Sequence, residues 1–281
     1  MMIVDCHVHY TAGTSPGEKI LSQLDAAGIG RMILFSHHPA TFNPPKTIEI
    51  KSEIWKTAPK PEESLKTLMS WAALSDRIIP FYWIDPLEGD AYTQVDMAVD
   101  AGVAGFKVIC NRFYPSDPKP MQVWERIAKT GKPILFHSGI LWCPLPASMY
   151  NRPAGFEPLF FIPNLRFAMA HVSWPWCDEM LAVYGFWCNL KKQGFISSEL
   201  FIDTTPGTPP IYRREVFKKI YTIGYNIEDN VIFGTDCFSN YNSDYAKEIL
   251  AMDKDALDNA GATSEQREKY YSKNVMRFLG M

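Results

Sequence analysis

The sequence predicts a closed (β/α)8 TIM barrel, and three observations carry that expectation. Eight short apolar runs recur along the 281 residues, and segments of helical period alternate with them throughout. The repeat averages about 35 residues, the size of one βαβ unit. Strict alternation over this length fits one barrel, residues 1–281 as a single domain, better than two small domains. An open doubly wound sheet is the runner-up, but no GxGxxG follows the first strand.

The first expected strand is Ile3–His9, continuously apolar as suits a strand covered on both faces. Gly17–Ala27 has helical period, and Gly28 follows it as a candidate left-handed cap. Arg31–Ser36 is the second strand, and the Pro-rich stretch Pro39–Pro61 after it reads as a long loop. Then come the helix Pro61–Ser75, the strand Ile78–Ile84, the helix Ala91–Ala101 capped by Gly102, and the strand Ala104–Ile109. The helix Gln122–Thr130 ends at Gly131 and leads into the strands Pro133–His137 and Leu165–His171. Asp178–Lys192, Leu200–Thr204, Arg213–Gly224, Asn230–Asp236 and Asp244–Asp253 complete the alternation. An extra C-terminal helix, Ser264–Leu279, opens on a Ser-Glu-Gln-Arg capping signal.

Composition narrows the class of protein. Lys+Arg number 28 against 31 Asp+Glu, so the formal charge is −3, without the basic excess of a nucleic-acid binder. No run approaches 18 apolar residues and no basic-then-apolar leader opens the chain, so no membrane partner is expected. Six Cys without a CxxC spacing read as free thiols in a reducing compartment. The expectation is a cytoplasmic protein acting on a small molecule.

Of the six His, four fall at strand ends. His7 and His9 close the first strand, and residues two apart on a strand face the same way, so both enter the lumen together. His137 ends strand five, His171 ends strand six and Asp236 ends strand eight. All sit at the C-terminal face, where barrels of this class hold their active sites. A lone His closing an apolar strand is more often structural, but four imidazoles and a carboxylate at one rim make a site for a borderline divalent metal, zinc first. Three or four protein ligands plus a water leave the open position that catalysis needs.

These residues resemble the amidohydrolase superfamily, specifically its amidohydrolase-related branch, the ACMS-decarboxylase-like group. The motifs are Asp5-Cys6-His7-Val8-His9, Gly105-Phe106-Lys107-Val108, His137-Ser138-Gly139, Ala170-His171, Gly234-Thr235-Asp236 and the terminal Lys273-Asn274-Val275-Met276-Arg277-Phe278. The resemblance implies His7, His9, His137 and Asp236 as ligands of one divalent metal, Zn2+ or else Mn2+, with His171 acting on the substrate. It also implies a hydrolase, a homodimer as a family-level expectation, and a nonoxidative decarboxylase of an aromatic or dienoic acid as the rival.

The chemistry that follows is acid–base work. Bound zinc lowers the pKa of water toward about 7, Asp236 can take that proton and return it to the leaving group, and His171 can steady the oxyanion. Lys107, ending strand four, has three open readings. It is a carboxylated bridge in a binuclear site, an anchor for a substrate carboxylate, or a lysine tied to neighbouring groups. Arg112 is a candidate grip for a carboxylate, or a surface Arg on an acid. Trp142 and Trp174 supply aromatic walls for a flat or cyclic substrate, or simply pack. The expected activity is hydrolysis of an ester, lactone or amide in a small carboxylated molecule. A noncatalytic binding barrel is the reading from another class.

Overall fold

Parallel pairing carries the chain around in sequence order. The strands are β1 (Val4–His9), β2 (Arg31–Phe35), β3 (Ile78–Trp83), β4 (Gly105–Val108), β5 (Ile134–Phe136), β6 (Arg166–Met169), β7 (Glu199–Asp203), β8 (Val231–Ile232) and β9 (Cys237–Phe238). Each pairs with the next up to β8, and β9 pairs with β1 at Val8 and His9. The expected eighth strand is thus broken into β8 and β9 around Gly234-Thr235-Asp236. Closure comes from the break itself: Cys6 N–H donates to the Phe233 carbonyl at 2.9 Å and Asp236 N–H to the His7 carbonyl at 3.0 Å. The result is the closed (β/α)8 barrel. This computed structural model describes residues 2–17, 19–42, 58–143 and 145–281. Most of the expected loop 39–61 lies outside the described residues.

Two apolar layers sort the strand residues by face. Val4, Cys6, Ile33, Phe35, Ile79, Phe81, Leu135, Ala168, Phe201 and Ile232 fill the lumen. Val8, Met32, Leu34, Phe106, Val108, Phe136, Met169 and Ile202 pack outward against the helices. In β1 the parity changes partway. Three residues pass from Asp5 to Val8 while β2 advances two, from Met32 to Leu34, which is a bulge. The extra residue lets Val4 and Cys6 face inward below and His7 and His9 face inward above. Cys6 therefore lies among the lumen residues, whereas Cys237 packs in the outer layer.

The helices follow local sequence rules. They are α1 (Lys19–Ala27), α2 (Pro61–Ala72), α3 (Ala91–Asp100), α4 (Pro118–Lys129), α5 (Cys177–Lys192), α6 (Pro210–Thr222), α7 (Ser243–Ala260), α8 (Ser264–Glu268) and α9 (Asn274–Leu279). Three of them, α2, α4 and α6, carry Pro in the first turn, where its missing N–H costs nothing. Helices α4 and α6 therefore begin earlier than helical periodicity alone suggested. Asn242 caps α7 by accepting from the amides of Asp244 and Tyr245, both at 3.1 Å. Helix α7 runs on past Asp253 to Gly261 because Ala256 and Leu257 continue its buried face.

The C-terminal segment departs from one continuous helix. Its capping box is Thr263 with Gln266, and a π-turn at Lys269–Lys273 separates α8 from α9. The wider turn lets consecutive Tyr270 and Tyr271 both be buried. Helix α9 then closes the bottom of the barrel, with Val275 and Phe278 joining the lumen layer. No described helix is long and apolar enough to cross a membrane.

One lumen position yields a stability prediction. A Cβ on Gly105 would overlap the Phe81 ring, with Cε1 at 2.6 Å and Cε2 at 2.9 Å. Gly105→Ala should therefore destabilise the barrel by about 1–3 kcal/mol through overpacking. A denaturant midpoint unchanged from wild type would contradict this packing.

A candidate metal centre at the barrel mouth

Strand ends bring His7, His9 and Asp236 together. His7 Nε2 and His9 Nε2 lie 3.2 Å apart, and Asp236 Oδ1 is 3.3 Å from His9 Nε2 and 3.6 Å from His7 Nε2. The bulge in β1 aims the two imidazoles. Asp236 reaches them from a left-handed residue, φ 62°, in the break between β8 and β9. Gly234 makes that approach possible, because a Cβ there would meet Thr205 Oγ1 at 2.5 Å and His7 Cβ at 2.9 Å.

Behind this triangle stand two carboxylates that sequence reasoning did not place. Asp203, at the end of β7, takes the Nδ1 hydrogen of His7 at 2.6 Å, both groups fully buried. Its other oxygen accepts from the amide and hydroxyl of Thr205. That bond fixes the tautomer of His7 and leaves the Nε2 lone pair facing His9 and Asp236. Asp5 accepts from the amides of His7 and Thr235, the Thr235 hydroxyl and Tyr241 OH, tying β1 to the β8–β9 break. Both positions were visible as acids at strand termini. Their partners come from strands some 200 residues away in sequence, so local patterns carry no sign of them.

The electrostatics favour bare donors. Burial, reinforced by the Lys107 charge, pushes His7 well below its ordinary pKa, and burial also lowers His9. Burial alone would raise Asp236. The hydrogen bond with His9 and the surrounding imidazoles of His7, His9 and His171 outweigh it and hold the carboxyl below its usual range. Two neutral imidazole nitrogens and a carboxylate oxygen 3.2–3.6 Å apart match three corners of a tetrahedron. With ligand bonds of about 2.0–2.1 Å, such an edge is about 3.3–3.4 Å. The donor set therefore fits a divalent cation.

His137 and His171 stand beside this group rather than within it. His137 Nδ1 is 3.1 Å from His171 Nε2, while its Nε2 is 3.2 Å from the Ile140 carbonyl. His171 Nδ1 lies 3.0 Å from the Pro206 carbonyl. Carbonyls only accept, so the outer nitrogens of the two rings are placed to donate to them. His171, Val172 and Ser173 all have left-handed φ (59°, 47° and 55°), which ends β6 early and turns the imidazole into the cavity.

The remaining expected site residues divide. Trp142 lines the cavity, 71% exposed at its rim, and stacks on Trp174 at 6.1 Å and 10°. Trp174 itself borders a neighbouring groove. Lys107 is wholly buried, its Nζ 3.4 Å from His7 Nε2 and 4.9 Å from the Phe35 ring centre. Burial lowers its pKa to about 8 against the charges of Asp203 and Asp236. Arg112 is held on buried Asp85 at 2.7 Å and is not among the cavity's lining residues.

Comparisons with known proteins bear on this arrangement. A family model described as amidohydrolase matches residues 4–281. Among solved structures, the chain resembles a probable 2-pyrone-4,6-dicarboxylic acid hydrolase from Acinetobacter baumannii, crystallised with citric acid bound. Identity is 12%, the TM-score is 0.63 and both chains are fully covered. It resembles an amidohydrolase from Burkholderia multivorans with bound zinc at 10% identity and TM-score 0.64, again with full coverage of both. A dihydroorotase from Campylobacter jejuni matches at 14% and TM-score 0.55, over 100% of this chain and 83% of that one. No curated protein matches by sequence.

Proposed function

The chain belongs to the amidohydrolase family, and from that premise we propose that it is a metal-dependent hydrolase opening an ester, lactone or amide bond in a small organic molecule. The observation that carries this reading is the triangle of His7, His9 and Asp236 at the floor of an open cavity. Zinc is the first candidate ion and manganese the second, held by those three residues with Lys107 beneath them. When bound, such an ion would supply Lewis acidity, polarising a carbonyl and easing deprotonation of water.

The protein's own groups do the rest. Asp236, partly open to the cavity, takes a proton from the attacking water as the new carbon–oxygen bond forms. When the bond to the leaving oxygen or nitrogen breaks, the same proton goes to the leaving group, and the products are an acid and an alcohol or amine. His171 lines the cavity, and its Nε2, turned from His137 Nδ1, can offer a hydrogen bond to the carbonyl oxygen as charge develops there. His7 stays aimed because Asp203 holds its far nitrogen.

Asp203→Asn tests that last point. It should weaken zinc binding about 10–100-fold while the fold persists, measured by competition with a chromophoric chelator. Unchanged affinity would reduce Asp203 to a packing role. The reading as a whole is tested by screening esters, lactones and amides with the metal-loaded protein while following acid release and CO2 release separately. Acid release is expected. CO2 release from an aromatic or dienoic acid would move the assignment to a decarboxylase. Metal analysis belongs with the screen: one equivalent with a plain Lys107 supports a mononuclear centre, and two equivalents with a carbamate support a binuclear one.

A further inference from the structure

We propose that the bond hydrolysed is carried on a single uncharged ring, aromatic or saturated, and not on a polycarboxylate. This rests on the reading of the cavity as the hydrolytic site. Two kinds of side chain line the cavity: the polar His9, His137, His171 and Asp236, and the apolar Trp83, Ile109, Leu141, Trp142 and Phe238. Its volume is about 150 Å3. A void of that order, walled by aliphatic and aromatic side chains, takes a benzene-sized ring. The apolar lining is assembled from four separate elements: the ends of β3 and β4, the segment after β5, and β9. It is therefore part of the mouth's construction, not one stray side chain.

Charge points the same way. The two cations best placed by sequence to grip a carboxylate are engaged elsewhere. Lys107 Nζ sits under His7 with Asp203 and Asp236 facing it, and the residue has no exposed surface. Arg112 is the ion-pair partner of Asp85, which is 3% exposed and also accepts from the Leu87 amide and the Thr41 hydroxyl. Drawing Arg112 away would leave that buried carboxylate without its counter-charge. A substrate carboxylate would have to lose its water against Trp83, Ile109 and Leu141, with no Lys or Arg among the described lining residues. A neutral ring buries apolar surface there and leaves its carbonyl over the His9–Asp236 side. By this reading, the neighbour named for a dicarboxylic acid shares the barrel with this chain but not the charge of the substrate.

Binding probes that are not turned over separate this inference from the hydrolytic reading. Benzyl alcohol and benzene-1,3-dicarboxylate are titrated calorimetrically into the metal-loaded protein. The neutral probe is expected to bind about tenfold tighter or better. Trp142→Ala, at an exposed position where folding is not at risk, should cut its affinity about fivefold, and Ile109→Lys should shift preference toward the dicarboxylate. Equal or tighter binding of the dicarboxylate to wild type, or no saturable binding of benzyl alcohol, overturns the inference. In parallel, hydrolysis of phenyl acetate and of 2-pyrone-4,6-dicarboxylate is followed by acid release. Preference for the neutral ester supports the inference, and preference for the dicarboxylate overturns it. Neutral-ring binding without hydrolysis of either leaves the ring inference standing and removes the hydrolytic one.

Discussion

Asp236→Asn is expected to lower kcat/KM by about 10³-fold or more and to weaken metal binding in the same protein. The two losses share a cause. Oδ1 lies 3.3 Å from His9 Nε2 and 3.6 Å from His7 Nε2, close enough for one cation to bridge all three. An amide oxygen is a poorer ligand than a carboxylate, and an amide cannot accept the proton of an attacking water. The His9 contact and the imidazoles around it hold the native carboxyl below its usual range, so it is ionised. It is therefore ready as a base across the neutral range. Backbone placement should survive, because the Asp236 amide bonds the His7 carbonyl whatever the side chain. Near-normal turnover with metal bound would remove Asp236 from both roles.

The second large effect concerns stability. Asp253→Ala should destabilise the fold by about 3–5 kcal/mol, read from the denaturant midpoint. Arg213 Nε bonds Asp253 Oδ1 at 2.5 Å, and both side chains are fully buried. Asp253 Oδ2 accepts from Tyr270 OH at 2.6 Å, and Tyr270 OH lies 2.6 Å from Thr204 Oγ1. Arg213 also donates to the Thr204 carbonyl at 2.6 Å. Removing one carboxylate strands a guanidinium and a phenol in a dry interior where α6, α7 and the π-turn meet the end of β7. Thr204 adjoins Asp203, so a second reading of zinc affinity in this variant would show whether the loss reaches His7. A shift below about 1 kcal/mol would mean that water reaches the pair.

The strands were legible because lumen and outer layer are both apolar, which leaves continuous runs such as Ile78–Ile84. The ends of those runs located His7, His9, His137, His171 and Asp236, and the family resemblance followed from the same residues. What was hidden depends on partners distant in sequence. The charged stretch Asp253-Lys254-Asp255 looked like the end of a helix, yet Asp253 points into the core toward Arg213. The bulge in β1 leaves no mark in a six-residue strand, and it decides that Cys6 shares the lumen with His7. Arg112 and Lys107 were recognisable as cations near the mouth. Whether either faces substrate turns on Asp85 and His7, which no local pattern connects to them.

The broken eighth strand has a kinetic meaning. His7 and His9 belong to the first strand and Asp236 to the junction of the last two, so the three donors meet only when the ring shuts. The joining contacts, Asp5 with Thr235 and Cys6 with Phe233, span nearly the whole chain. Contacts of such long sequence separation form late and slowly. Before that step, the intermediate strands can pair in order without any cation-binding centre existing among them. Zinc uptake during refolding should then lag behind the gain of helical signal and coincide with the final compaction, which makes the ion a reporter of ring closure.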